Sequence, residues 1–183
     1  MKKIVVIGPE STGKSTLCER LADHYATGWA KEYAREYLLK HGTQYSFDDL
    51  LHIAQNQLRL EEEGLAAVTK KLQDAGRNSD HLPFFIDTDM QVMKVWCEVV
   101  FYKTHNWILN RITERQYDLY LLCNVDIPWV KDELREYPDL ESRVRLYHHY
   151  RDTMINQSTP WVDISGTYDE RLQKAIQAVD AII

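Results

Sequence analysis

Cysteine is scarce in this chain of 183 residues, and Cys18, Cys97 and Cys123 stand apart with no Cys-x-x-Cys pair. That spacing excludes a disulfide framework and a zinc ribbon. Each thiol reads as a small buried hydrophobe. Positive charge is not in excess either: 22 Lys and Arg face 28 Asp and Glu, a net charge of -6. Broad nucleic-acid binding needs the opposite balance, so any anion site must be a local basic pocket. The seven histidines show no metal-ligand spacing. No apolar run approaches the length that spans a bilayer. Met1-Lys2-Lys3 leads into a short strand and then a glycine loop, not a secretory leader, so a cytoplasmic location with no membrane partner is expected. Repeats, low-complexity stretches and interdomain linkers are absent, and residues 1–183 are expected to form a single domain. What is present is ordinary for a globular protein: 44% apolar and 27% charged residues.

Against that background the N-terminus stands out. Ile4-Val5-Val6-Ile7 reads as a buried strand and runs into Gly8-Pro9-Glu10-Ser11-Thr12-Gly13-Lys14-Ser15, followed by Thr16. This is G-x-x-x-x-G-K-S after a strand and before a helix, the context a phosphate loop requires. The glycines let backbone N–H groups wrap phosphate oxygens at a helix N-terminus. Lys14 reaches the β/γ-phosphates and the Ser15 hydroxyl suits Mg²⁺. ATP and Mg²⁺ are the expected cofactors. Leu17, Leu21 and Tyr25 recur with helical spacing and face that helix onto a sheet.

Further along, strands are expected at Gly28–Lys31, Pro83–Asp89 (ending in acids), Tyr117–Asn124 and Trp161–Ile164. Helices are expected between them, the longest running from an N-cap at Ser46, with Asp49 in the reciprocal position, to about Ala75. Trp129 to Tyr150 reads as charged and irregular, then helical. A final amphipathic helix carries Leu172, Ile176, Val179 and Ile183 on one face. Near-continuous apolar strands alternating with helices imply a parallel sheet covered on both faces, an α/β three-layer sandwich.

The chemistry gathers where strands end. Asp87 closes the third strand and so lies over the sheet edge that carries the loop, where a carboxylate supports Mg²⁺ with Ser15. Asp89 points toward the same crevice or caps the next helix. Glu32, Tyr33 and Arg35 follow the second strand: an acid for a sugar hydroxyl, a ring for stacking, a fork for an anion. The bland reading is a surface ion pair, Glu32 with Arg35. Arg135 and Arg143 follow the fourth strand and suit a lid that stabilises phosphoryl charge and excludes water. Trp96, one helix past the acids, is a candidate wall of a substrate pocket. The proton acceptor stays open among Asp87, Asp89 and Glu32.

Together the phosphate loop, Glu32-Tyr33-Ala34-Arg35-Glu36-Tyr37, Phe85-Ile86-Asp87-Thr88-Asp89 and Trp129-Val130-Lys131-Asp132-Glu133-Leu134-Arg135 occur in this order. The combination resembles the ribosylnicotinamide kinase domain of NadR proteins, over essentially the whole chain. The resemblance implies a P-loop fold like that of nucleoside kinases, with a helical lid. It implies ATP-dependent phosphorylation of nicotinamide riboside at the 5′-hydroxyl, giving nicotinamide mononucleotide in NAD biosynthesis. NadR proteins also carry an adenylyltransferase domain before the kinase, and that activity is not expected of these residues. Neither is an obligate protein partner. Three alternatives stand beside this one: a kinase for another nucleoside or nucleotide, an ATP- or GTP-binding switch, and an ATPase subunit of a larger assembly.

Overall fold

The computed structural model describes residues 1–134 and 138–183. Its strands are β1 (Lys2–Ile7), β2 (Gly28–Ala30), β3 (Pro83–Asp87), β4 (Leu119–Cys123) and β5 (Trp161–Ile164). The helices are α1 (Lys14–Tyr25), α2 (Tyr33–His41), α3 (Phe47–Asp74), α4 (Met90–Phe101), α5 (Asn106–Glu114), α6 (Leu140–Ile155) and α7 (Tyr168–Asp180). One sheet holds the strands in the order β2-β3-β1-β4-β5, and every pairing is parallel. Val6 pairs with both Asp87 and Leu121, which brings the carboxyl ends of β3, β1 and β4 to one edge.

Side-chain alternation explains why β1 is apolar throughout. Ile4 and Val6 face α1 and α7, packing with Leu17, Leu21, Ala175 and Val179. Val5 and Ile7 face the other way, toward Val92 and Val95 of α4 and Tyr147, Tyr150 and Met154 of α6. A strand with helices on both sides has no solvent face to carry polar residues. A third cluster joins α2 to α3, α4 and α5 around Leu50, Ile53, Met93 and Ile108. This helical block covers the β2 side of the sheet edge and supplies one wall of the cavity described below.

The expected boundaries need small changes. β2 stops at Ala30 and α2 starts at Tyr33. The Ser46–Asp49 capping box opens α3 as expected, and α3 ends at Asp74. The connection between β3 and β4 holds two helices, α4 and α5. Between β4 and α6 the described residues form neither helix nor strand, so a helical lid is not seen among them. Among the described residues no helix is long and apolar enough to cross a membrane.

Candidate active site

The phosphate loop departs from ordinary backbone geometry in a useful way. Gly8 has φ 137°, Ser11 56° and Gly13 77°. A Cβ on Gly8 would lie 2.6 Å from the Cys123 carbonyl oxygen, so only glycine lets β1 pass this close to β4. Gly13 is the N-cap of α1, yet no side chain caps that helix and its first turn carries no acid. The free N–H groups and the positive end of the helix dipole are left for an anion. Lys14 Nζ bonds the Pro9 carbonyl at 2.9 Å, arched over the loop it would leave to meet phosphate.

Beneath the loop, Ser15 Oγ donates to Asp87 Oδ2 at 2.5 Å. Asp87 is fully buried and its Oδ1 has no hydrogen-bond partner. Burial, and then the nearby Glu32 charge, push its carboxyl up to about 7, with Lys14 and the Ser15 hydrogen bond pulling back. A buried, unpaired carboxylate oxygen beside a hydroxyl is an arrangement a small hard cation relieves. The pair fits Mg²⁺, which keeps several waters and needs only one or two protein oxygens. No cluster of three or more metal-ligating side chains exists among the described residues, and none is required for that ion.

A cavity of about 280 Å³ opens beside the loop. One side is the loop itself, Gly8 to Thr16. The other is Glu32, Ala34, Arg35 and Leu38 from the end of β2 and α2, with Val92, Val95, Trp96 and Val99 of α4 and Leu134, Leu146 and Tyr150 beyond them. Glu32 and Trp96 therefore share one space with Lys14 and Ser15. Thr88 Oγ1 lies 3.5 Å from Glu32 Oε1, linking that acid to the end of β3. The Trp96 indole N–H donates to the Tyr45 hydroxyl at 2.9 Å, which holds the ring.

Arg35 lines the cavity but does not pair with Glu32. Its guanidinium grips Asp132 in two-pronged fashion at 3.2 and 2.9 Å, tying α2 to the segment after β4. That segment also lies on the loop: Trp129 Nε1 donates to Glu10 Oε1 at 3.3 Å, and Val130 N–H to Ser11 Oγ at 3.0 Å.

Three sequence expectations are placed elsewhere. Asp89 is 1% exposed and is the N-cap of α4. One oxygen accepts from the N–H groups of Gln91 and Val92, and the other from Tyr120 Oη at 2.7 Å. Burial raises its carboxyl to about 6. Thr88 separates the two acids: its φ of 78°, a strained value for a β-branched residue, turns Asp87 toward Ser15 and Asp89 toward α4. Tyr33 packs against Tyr37 and His52 rather than lining the cavity. Arg143 lies within α6, buried, with its guanidinium on the Ser11 and Ile127 carbonyls at 3.3 and 3.4 Å; it is not a mobile lid arm. Arg135 lies outside the described residues.

Two residues that reading the sequence missed hold the site in shape. Gln57, 1% exposed on α3, accepts from Tyr33 N–H at 2.7 Å and donates to the Lys31 and Asp87 carbonyls at 3.2 Å. It stitches the ends of β2 and β3 together. A glutamine on an apolar helical stripe was the available signal. Arg171, 3% exposed on α7, bonds the Thr12 carbonyl behind the loop. Nothing local in the sequence marked it.

Fold and site together define a P-loop nucleotide-binding domain, with the architecture of nucleoside and nucleotide kinases. Residues 3–171 match the AAA domain family, and the chain belongs to it. It is distantly NadR-like. The trifunctional NAD biosynthesis/regulator protein NadR of Salmonella typhimurium LT2 is 25% identical over 186 residues, covering 98% of this chain and 42% of that protein. Its Escherichia coli K12 counterpart is 26% identical with the same coverage. The chain thus spans 42% of the length of these curated relatives. Among solved structures, a NadR protein in complex with NR superposes with TM-score 0.75 at 22% identity, covering 99% of this chain and 49% of that one. Deoxyadenosine kinase from M. mycoides gives 0.62 at 12% identity, covering 98% of this chain and 100% of that one. These likenesses establish the fold.

Proposed function

We propose that this chain is an ATP- and Mg²⁺-dependent kinase that phosphorylates nicotinamide riboside at its 5′-hydroxyl. The observation that carries this reading is the single cavity with two unlike walls. One wall is a phosphate loop with an open helix N-terminus. The other is an acid, Glu32, beside an aromatic and aliphatic surface of Trp96, Tyr150, Val92, Val95 and Val99. A switch that binds nucleotide alone has no use for the second wall. A cationic nicotinamide ring suits aromatic faces with an acid nearby.

In this reading Lys14 and the loop N–H groups hold the β- and γ-phosphates. Ser15 and Asp87 hold Mg²⁺, which supplies charge neutralisation on the phosphoryl oxygens. Glu32 orients the 5′-hydroxyl and accepts its proton as the oxygen bonds phosphorus and the bond to the β-phosphate breaks, releasing ADP. Its place on the cavity wall favours it over Asp89, both of whose oxygens are engaged. The apolar walls exclude water that would otherwise take the phosphoryl group.

The test is ADP release with ATP and Mg²⁺ across a panel of nicotinamide riboside, deoxyadenosine, thymidine and thymidylate. Turnover dependent on nicotinamide riboside is expected. Strong turnover of another member with none of nicotinamide riboside would replace the acceptor. ADP release independent of every acceptor would favour a switch or an ATPase subunit.

A further inference from the structure

We propose that Arg171, with Asp126, is a positioning device for the phosphate loop: it fixes nucleotide affinity from behind, without touching the nucleotide. A loop that turns its N–H groups inward to an anion turns its carbonyls outward into the protein, where each needs a donor. Two guanidinium groups meet them here, Arg143 at the Ser11 carbonyl and Arg171 at the Thr12 carbonyl.

Arg171 does the most. Its Nη1 reaches the Thr12 carbonyl at 2.9 Å, its Nε the Gly166 carbonyl at 2.8 Å, and its Nη2 the Asn124 carbonyl at 2.9 Å and Asp126 Oδ1. Asp126 Oδ2 in turn accepts from Gly166 N–H at 2.6 Å. One guanidinium therefore joins the chain after β1, after β4 and after β5. These three backbones approach each other at the sheet edge, where the Asn124 N–H also donates to the Ile164 carbonyl at 2.9 Å. Only a planar fork with donors in three directions serves them at once, and lysine cannot. The Tyr168 ring completes the junction, 3.1 Å from where a Cβ of Gly13 would stand.

The consequence is a loop held in its anion-binding shape before nucleotide arrives. Loosening the junction should cost binding, because the loop must then be ordered by the ligand. It should spare the chemical step, since Lys14, Ser15 and Asp87 are unchanged.

The experiment is calorimetric titration of ADP with Mg²⁺ into wild type, Arg171→Lys, Asp126→Asn and Val179→Ala, beside their thermal unfolding. Val179 is a fully buried residue of the same helix, away from the junction. It controls for simple loss of stability. Arg171→Lys should weaken ADP by about tenfold or more, and Asp126→Asn by about threefold to tenfold, from loss of charged hydrogen bonds. Val179→Ala should lower Tm yet bind ADP within about twofold of wild type. In turnover, Arg171→Lys should raise KM for ATP with kcat at saturation within about threefold. The proposal is overturned if both Arg171→Lys and Asp126→Asn bind ADP within twofold of wild type, or if Val179→Ala weakens ADP as much as Arg171→Lys. Should Arg171→Lys not fold, Asp126→Asn decides by the same threshold. The titration needs no acceptor, so its result is independent of the nucleoside proposed above.

Discussion

Two helices, α1 and α4, begin at the same sheet edge, each after a strand whose last residues pair with the other's. Their N-termini are treated in opposite ways. α1 starts at Gly13 in a left-handed conformation with no side-chain cap. α4 starts at Asp89, which is buried and fills two of its orphan N–H groups. A helix start needs its donors satisfied by something. The protein satisfies those of α4 itself and leaves those of α1 for a phosphate. Closeness to the loop does not by itself make an acid part of the chemistry. Asp87 and Asp89 are two residues apart, and one faces Ser15 while the other is consumed by the fold.

Breaking the open end should have the largest effect. Lys14→Ala should reduce turnover by about 10²-fold or more, as expected for a group that meets charge developing in the transition state. Its Tm should stay near wild type, because Lys14 bonds the Pro9 carbonyl, which Thr12 Oγ1 also serves at 2.8 Å.

The closed helix contributes through its side, and Trp96→Ala reads that contribution. It should raise KM for the nucleoside by about tenfold while leaving KM for ATP within about twofold, as loss of one aromatic wall implies. Equal changes in both would mean the cavity is not divided into a donor and an acceptor half.

A third helix start, the capping box of α3, is closed as that of α4 is. There the Tyr37 hydroxyl and the Ser46 side chain and N–H hold the Asp49 carboxyl down to about 2. A depressed carboxyl contributes stability above its unfolded value of about 4 and loses it as pH falls through 2. Asp49→Asn should therefore flatten the change in urea midpoint between about pH 4.5 and pH 2, with turnover near neutral pH unchanged. A midpoint that still falls as steeply would place the acid sensitivity elsewhere.

Much of this was legible from residues alone. The loop and the start of its helix follow from a contiguous pattern whose geometry is local. The sheet follows from apolar runs that have no polar face. The Ser46 start follows from a pair three residues apart. What was not legible depends on contacts between distant segments. Arg171 bonds carbonyls that lie 159 and 47 positions earlier in the chain, and carbonyls leave no mark in a sequence. Asp89 was equally consistent with a cap or an acid until the φ of Thr88 turned it away. Arg143, read as a mobile cation, is buried because α6 brings it under the loop.

In the proposed mechanism Asp87 serves phosphoryl transfer and Asp89 serves the fold. The direct measurement is kcat for Asp87→Asn and Asp89→Asn, side by side with Tm. Asp87→Asn should lose about 10²-fold or more in kcat with Tm unchanged or raised, since a buried, partly unpaired acid is removed. Asp89→Asn should keep kcat within about fivefold and unfold a few degrees lower, as a weakened cap and a lost Tyr120 bond imply. A folded Asp89→Asn that loses as much kcat as Asp87→Asn would place Asp89 in the chemistry as well.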